Sequence, residues 1–170
     1  MDEVKKFYST FNNGHVLYDC NREMVLTIND ETVCKVLDFG CGTGKVLNMV
    51  DADERVGIDV SLIAVSEGYR VYEELQLIIG DEATLANYKD RYFDISYTIS
   101  VLNHLPELGV FKVVNELKRV SKKIFIMESQ DVWQTYCYPH DYEKMGFKKL
   151  DYTWISPASK ALYEMYVLVS

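Results

Sequence analysis

Three glycines alternate at Gly40, Gly42 and Gly44 in the stretch VLDFGCGTGKVL, residues 36–47, directly after Asp38. Glycine tolerates positive φ and, lacking a Cβ, lets the backbone approach a ligand closely. Carboxylates recur downstream at Asp59, Asp81 and Glu82, and an imidazole stands at His104. One carboxylate accepts two hydroxyl hydrogen bonds at once, which is what a vicinal diol requires. An imidazole, with a reference pKa of about 6.5, can take a proton at neutral pH. These residue types suit a site that seats a polar small molecule and moves a proton.

The spacing excludes two familiar ligands. A dinucleotide loop reads G-x-G-x-x-G. Its third glycine falls on Lys45 counted from Gly40 and on Leu47 counted from Gly42. A phosphate-cradling loop reads G-x-x-x-x-G-K-[ST]. Gly44-Lys45 is present, but Phe39 and Val46 occupy the other required positions.

The elements that must position these groups follow from apolar patterning. Residues 1 to about 30 read as mostly helical, with Phe7, Tyr8, Phe11 and Tyr18 as aromatics. Strands are predicted at Val33 to Asp38, Val56 to Asp59, Leu75 to Ile79, Phe93 to Ile99 and Ile124 to Glu128. Helices are predicted at Thr43 to Val50, from a Ser61 cap to about Glu74, near Glu82 to Asn87, at Leu108 to Val120 and at His140 to Met145. Leu108, Phe111, Val114, Leu117 and Val120 define the apolar stripe of the long helix. Strand–helix alternation implies a parallel sheet covered on both faces. The chain ends differently: Phe147 to Ile155 and Ala161 to Val169 read as strands joined only by residues 156–160. A parallel crossover needs roughly a dozen residues or more, so these two run oppositely. The last strand is apolar enough to lie inside the sheet, beside the fifth. In such sheets ligands sit off the C-terminal strand ends, where Asp38, Asp59, Asp81 and Glu82 fall.

The D-x-G-x-G-x-G loop, Asp38 to Gly44, resembles motif I of the class I S-adenosylmethionine-dependent methyltransferases. The likeness extends over about residues 30–170 and implies a single α/β domain over residues 1–170. Its fold would be a doubly wound, seven-stranded, mostly parallel sheet with one antiparallel terminal strand. The implied cofactor is S-adenosylmethionine. Asp59, fifteen residues after Gly44, lies close to the family's ribose-binding acid. Asp81, in IIGDEATL, resembles the acid that meets the adenine amino group, with Val60 and Glu82 flanking the ring. Gly40 and Gly42 would face the methionyl end. Asp38 would order the loop or reach the amino group through water. In comparable proteins an N-terminal aromatic closes over the cofactor, and Tyr8 or Phe7 could do so.

TISVLNHLPEL, after the fourth strand, resembles the motif IV region of small-molecule methyltransferases. It has neither the D/N-P-P-[YF] of amino-methylating nucleic-acid enzymes nor the Pro-Cys of cytosine-C5 enzymes. His104 there is either a general base or a turn cap before Pro106. The aromatic run WQTYCYPHDY, Trp133 to Tyr142, either lines an acceptor pocket or packs. Cys41 reads as a small spacer, with no basic partner near it in sequence.

Composition bounds the partners. With 48% apolar and 26% charged residues, the 170-residue chain can bury a core. Its net charge of −8 argues against a duplex nucleic-acid surface. Lys112, Lys118, Arg119, Lys122 and Lys123 read as a solvated helix end. The four cysteines and three histidines lack metal spacing, which points to a reducing, cytoplasmic setting. MDEVKKFYST lacks the apolar core of a signal peptide, and no window reaches a membrane span of roughly 18 apolar residues. The expectation is a methyltransferase with a small-molecule acceptor. The alternative is a catalytically silent S-adenosylmethionine-binding subunit with a protein partner.

Overall fold

Runs rich in valine, isoleucine, phenylalanine and tyrosine become seven strands of one sheet. They are β1 (Lys35–Phe39), β2 (Glu54–Asp59), β3 (Gln76–Ile79), β4 (Phe93–Ile99), β5 (Ser121–Ser129), β6 (Lys148–Ile155) and β7 (Leu162–Val169). The computed structural model describes residues 3–9, 17–132 and 135–169. Strand order is β3-β2-β1-β4-β5-β7-β6. Pairing is parallel from β3 to β5, and β7 is antiparallel to both β5 and β6. The expected fold class therefore holds, with the reversed strand inside the sheet and β6 at the edge.

Helices cover both faces. On one lie α2 (Asp19–Asn29) and α3 (Leu62–Val71); Met24, Val25, Ile28 and Val65 pack there with Val36, Leu77, Tyr97 and Met165. On the other lies α4 (Glu107–Val120), packing on Leu37, Ile58, Phe93 and Ile126. Its buried stripe is Val110, Val113, Val114, Leu117 and Val120. Leu108 and Phe111, expected in that stripe, are exposed. Both phases share Val114, Leu117 and Val120, so periodicity alone left the first turns ambiguous. The short helix α1 (Glu3–Tyr8) places the Phe7 ring 5.7 Å from that of Tyr136.

Two predicted helices are absent. Residues 43–50 form turns and a 3₁₀ turn, Leu47–Met49. Gly42 and Gly44 both have positive φ, at 55° and 77°, outside the α region. The Met49 and Val50 N–H groups then bond three residues back, to Val46 and Leu47. So no α-helix N-terminus stands behind the glycine loop. In the predicted helix His140 to Met145 the chain instead forms a turn over residues 142–146, with Gly146 at φ 94°.

Four of the five basic residues, Lys118, Arg119, Lys122 and Lys123, make hydrogen bonds or ion pairs within the fold. Arg119 donates to the carbonyls of Leu85 and Tyr88 and pairs with Glu116 and Asp90. This pins the 3₁₀ turn Glu82–Asn87 behind Asp81. Lys118 donates to the Met145 carbonyl, while Lys122 pairs with Asp94 and Lys123 with Glu31. Among the described residues no helix is long and apolar enough to cross a membrane.

Candidate cofactor and acceptor site

A cavity of ≈ 480 Å³ opens at the C-terminal ends of β1, β2 and β4. That volume falls within the range of about 300–1,000 Å³ usual for small-molecule sites. The glycine loop forms its floor. The N–H groups of Gly40 and Cys41 both donate to the Ile58 carbonyl, at 2.7 and 3.2 Å. Gly42 N–H donates to Asp59 Oδ2 at 2.7 Å. A Cβ on Gly40 would meet Val101 Cγ2 at 2.1 Å, so that glycine permits close packing. A Cβ on Gly42 would meet nothing within 4 Å. Gly42 thus leaves open space where the loop faces the cavity, a cradle any side chain would fill. Helix α3 supports the loop from behind, where a Cβ on Gly68 would lie 2.4 Å from the Thr43 carbonyl oxygen.

Asp59 ends β2 and lines the cavity. Oδ2 holds Gly42, and Oδ1 accepts the Ser61 N–H at 2.8 Å. Each carboxylate oxygen has a second lone pair, so these bonds leave capacity for a diol. Burial raises the Asp59 pKa, and the backbone donors of Ser61, Gly42 and Val60 oppose that rise. Val60, Asp81 and Glu82 line the cavity beside it. Asp81 also caps its 3₁₀ turn, accepting the Ala83 N–H at 3.0 Å. Cys41 Sγ packs against β2, where a Cβ on Gly57 would meet it at 2.7 Å. Burial pushes this thiol well above its ordinary pKa, which keeps it protonated.

Asp38 lies beneath the loop and accepts the Tyr97 hydroxyl at 2.8 Å. Burial pushes its carboxyl up to about 7; the Tyr97 hydrogen bond acts against the rise, and the nearby Asp59 charge adds to it. The unfolded chain releases this proton near pH ~3.9. Between about pH 4 and 7 the folded state holds the extra proton, so stability falls as pH rises through that window. Asp38→Asn keeps an acceptor for Tyr97 and removes the titration. Urea melts of the ligand-free protein across this range should show a slope flatter by up to about 1.4 kcal/mol per pH unit. An unchanged slope would contradict the assignment.

His104 ends a 3₁₀ turn, Leu102–His104, and lines the cavity. Its Nδ1 lies 3.0 Å from the Tyr136 carbonyl oxygen. A carbonyl only accepts, so Nδ1 carries hydrogen and Nε2 is the basic nitrogen of the neutral ring. Burial lowers the pKa of His104, and the Tyr136 bond pulls the other way. The described part of the Trp133 to Tyr142 segment does not line the cavity; Trp133 itself lies outside the described residues. Instead this segment braces the turn, with Tyr138 N–H on the Asn103 carbonyl at 2.6 Å and His140 Nε2 on the Leu105 carbonyl at 2.9 Å.

The cavity wall that sequence reading missed comes from the β6–β7 hairpin. Trp154, Ser156, Ser159 and Tyr163 line it. The Trp154 ring centroid lies 5.4 Å from that of Tyr163 and 5.3 Å from that of Tyr18. Among the described residues, Tyr18, at the start of α2, is the N-terminal aromatic that lines the cavity. Phe7 packs on Tyr136 instead, and the Tyr8 side chain lies outside what the structure describes. Among the described residues no cluster of histidine, cysteine and acidic side chains could hold a metal ion.

A sheet with one inserted reversed strand, carrying a glycine loop and an acid at the end of β2, defines the class I methyltransferase fold, whose cofactor is S-adenosylmethionine. The model of a methyltransferase domain family matches residues 36–123, more than half of the chain, and the chain belongs to that family. Among curated proteins none matches its sequence. Solved structures share its fold. Magnesium protoporphyrin IX methyltransferase from Synechocystis PCC 6803, solved with bound SAM, has a TM-score of 0.68 at 16% identity over 89% of this chain and 78% of that one. The [4+2]-cyclase SpnF has a TM-score of 0.70 at 18% identity, over 96% and 86%. The methyltransferase domain of a bacterial CtHen1 has a TM-score of 0.64 at 15% identity, over 89% and 97%.

Proposed function

We propose that this protein transfers a methyl group from S-adenosylmethionine to a small-molecule acceptor. The observation that carries this reading is one cavity joining the open face of Gly42, the Asp59 carboxylate and the His104 ring. Asp59 would hold the ribose hydroxyls and Asp81 the adenine amino group. Val60 and Glu82 would flank the ring. Gly40 and Gly42 would face the methionyl end, with Asp38 ordering the loop beneath. When bound, the cofactor supplies a methyl group already activated by its sulfonium.

The chain's own contribution is alignment, worth up to about 7–11 kcal/mol in well-oriented systems. Tyr18, Trp154 and Tyr163 form an aromatic wall of the same cavity, against which an acceptor can lie. His104 Nε2 would take the acceptor's proton. The net charge of −8 disfavours duplex nucleic acid. All four thiols are unbridged, in keeping with a cytoplasmic protein.

Calorimetry is expected to show saturable binding of S-adenosylmethionine and S-adenosylhomocysteine and no comparable binding of NAD. Asp59→Ala should weaken both by at least about tenfold, because hydrogen bonds to a charged group contribute roughly 1.5–3 kcal/mol each. It should also lower the melting temperature, since the carboxylate ties Gly42 and Ser61 together. A preference for NAD, or unchanged affinity in the variant, would overturn the cofactor site. Binding with no transfer to any acceptor fraction would leave a silent binding subunit.

A further inference from the structure

Glu128, in β5, is fully buried, and the proposed methyl transfer makes no direct use of it. Its Oε1 accepts the N–H groups of Val101 at 3.0 Å and Leu102 at 2.9 Å. Its Oε2 accepts the Asn103 N–H at 3.3 Å. These donors stand at the start of the His104 turn, where a helical turn cannot satisfy its own N–H groups. Burial pushes this carboxyl up to about 7, and the three backbone donors oppose that rise by holding its ionised form. The far side of the turn is held by the carbonyl of Tyr136, the N–H of Tyr138 and the ring of His140. Within the turn the His104 N–H donates to the Val101 carbonyl and the Leu105 N–H to the Leu102 carbonyl. The titratable neighbours of Glu128 are Tyr142, Tyr163 and, directly across β7, Glu164, which is engaged by Lys149 and Tyr166.

We propose that Glu128 is a positioning residue, whose carboxylate holds the Val101–His104 turn so that the His104 imidazole faces the cavity. This deepens the reading in which His104 serves methyl transfer, and rests on it. Only a carboxylate offers acceptors on both arms. Glutamine at this position has one acceptor oxygen, and its NH₂ would confront N–H donors. The turn must then shift, and His104 moves with it. Displacement of a reacting group by about 1 Å can cost roughly 10²-fold in rate.

The experiment uses the full chain as wild type, Glu128→Gln, His104→Ala and the double variant. The imidazole signals of His104 are assigned by their loss in His104→Ala and titrated by NMR. In Glu128→Gln the midpoint should rise from its burial-lowered position toward the ordinary value of about 6.5. Turnover should fall roughly 10²-fold, with S-adenosylmethionine affinity within about twofold of wild type. The double variant should be no slower than His104→Ala, because residues acting as a unit are non-additive. An unchanged titration, or losses that multiply, would overturn the proposal. If Glu128→Gln does not melt cooperatively, Glu128→Asp carries the same measurements, with a smaller shift in the same direction. A shifted titration in a protein that methylates nothing would leave the positioning intact and remove the methyl-transfer reading.

Discussion

His104→Ala is expected to lower turnover by roughly 10²–10⁴-fold while leaving cofactor affinity nearly intact, the scale typical of losing a general base. Nδ1 is committed to the Tyr136 carbonyl, so the neutral ring carries its basic lone pair on Nε2. Burial lowers the pKa of this ring more than the Tyr136 bond raises it. The wild-type rate should therefore rise with pH, with its midpoint on the acid side of about 6.5 and a plateau at neutrality. His104→Ala should lose that limb. If the ring only orders the turn before Pro106, the variant will melt lower and keep most of its turnover. Rate profiles and melting curves on the same preparation separate the two outcomes, and near wild-type turnover would sink the base assignment.

Local chemistry in the sequence marked the glycine loop and the acids that line this cavity. The D-x-G-x-G-x-G spacing excluded dinucleotide and phosphate loops. The acids at the ends of the first three strands needed only the rule that parallel strands point their ends at the ligand. The β6–β7 hairpin was legible too. Strand β7 runs opposite to β5, so β6 runs with β5 and residues 156–160 turn at the same end as Asp38 and Asp59. That places Trp154 and Tyr163 at the cavity, a step that needs the direction of β7 against β5 as well as the connector length. Other features had no local signal. The grip of Glu128 on Val101 to Asn103 spans 25 or more residues. The first turns of α4 carried two apolar stripes, and only the packed sheet selects Val110 and Val113 over Leu108 and Phe111. The predicted helix at residues 43–50 failed because Gly42 and Gly44, useful for the loop, are held at positive φ.

Removing residues 161–170 is expected to abolish cooperative folding, although it deletes only the last strand of the chain. In space β7 is interior. It pairs with β5 from Lys123↔Val169 to Ser129↔Tyr163 and with β6 on its other side. Tyr163, Met165 and Tyr166 are buried, and they belong to cores on both faces of the sheet. Burying a large apolar side chain contributes about 1.5–3 kcal/mol, so three of them approach the 5–15 kcal/mol that holds a typical domain together. The truncation also strips β6 of its neighbour in the sheet and bares the edge of β5, whose segment IFIM is a ready template for aggregation. Urea denaturation followed by circular dichroism should show a broad, non-cooperative loss of structure, and most of the truncated chain should be insoluble. A milder change, Met165→Ala, should cost about 2–5 kcal/mol and keep two-state melting. A soluble truncation that melts as sharply as the full chain would mean that β7 is peripheral and that the strand order is wrong.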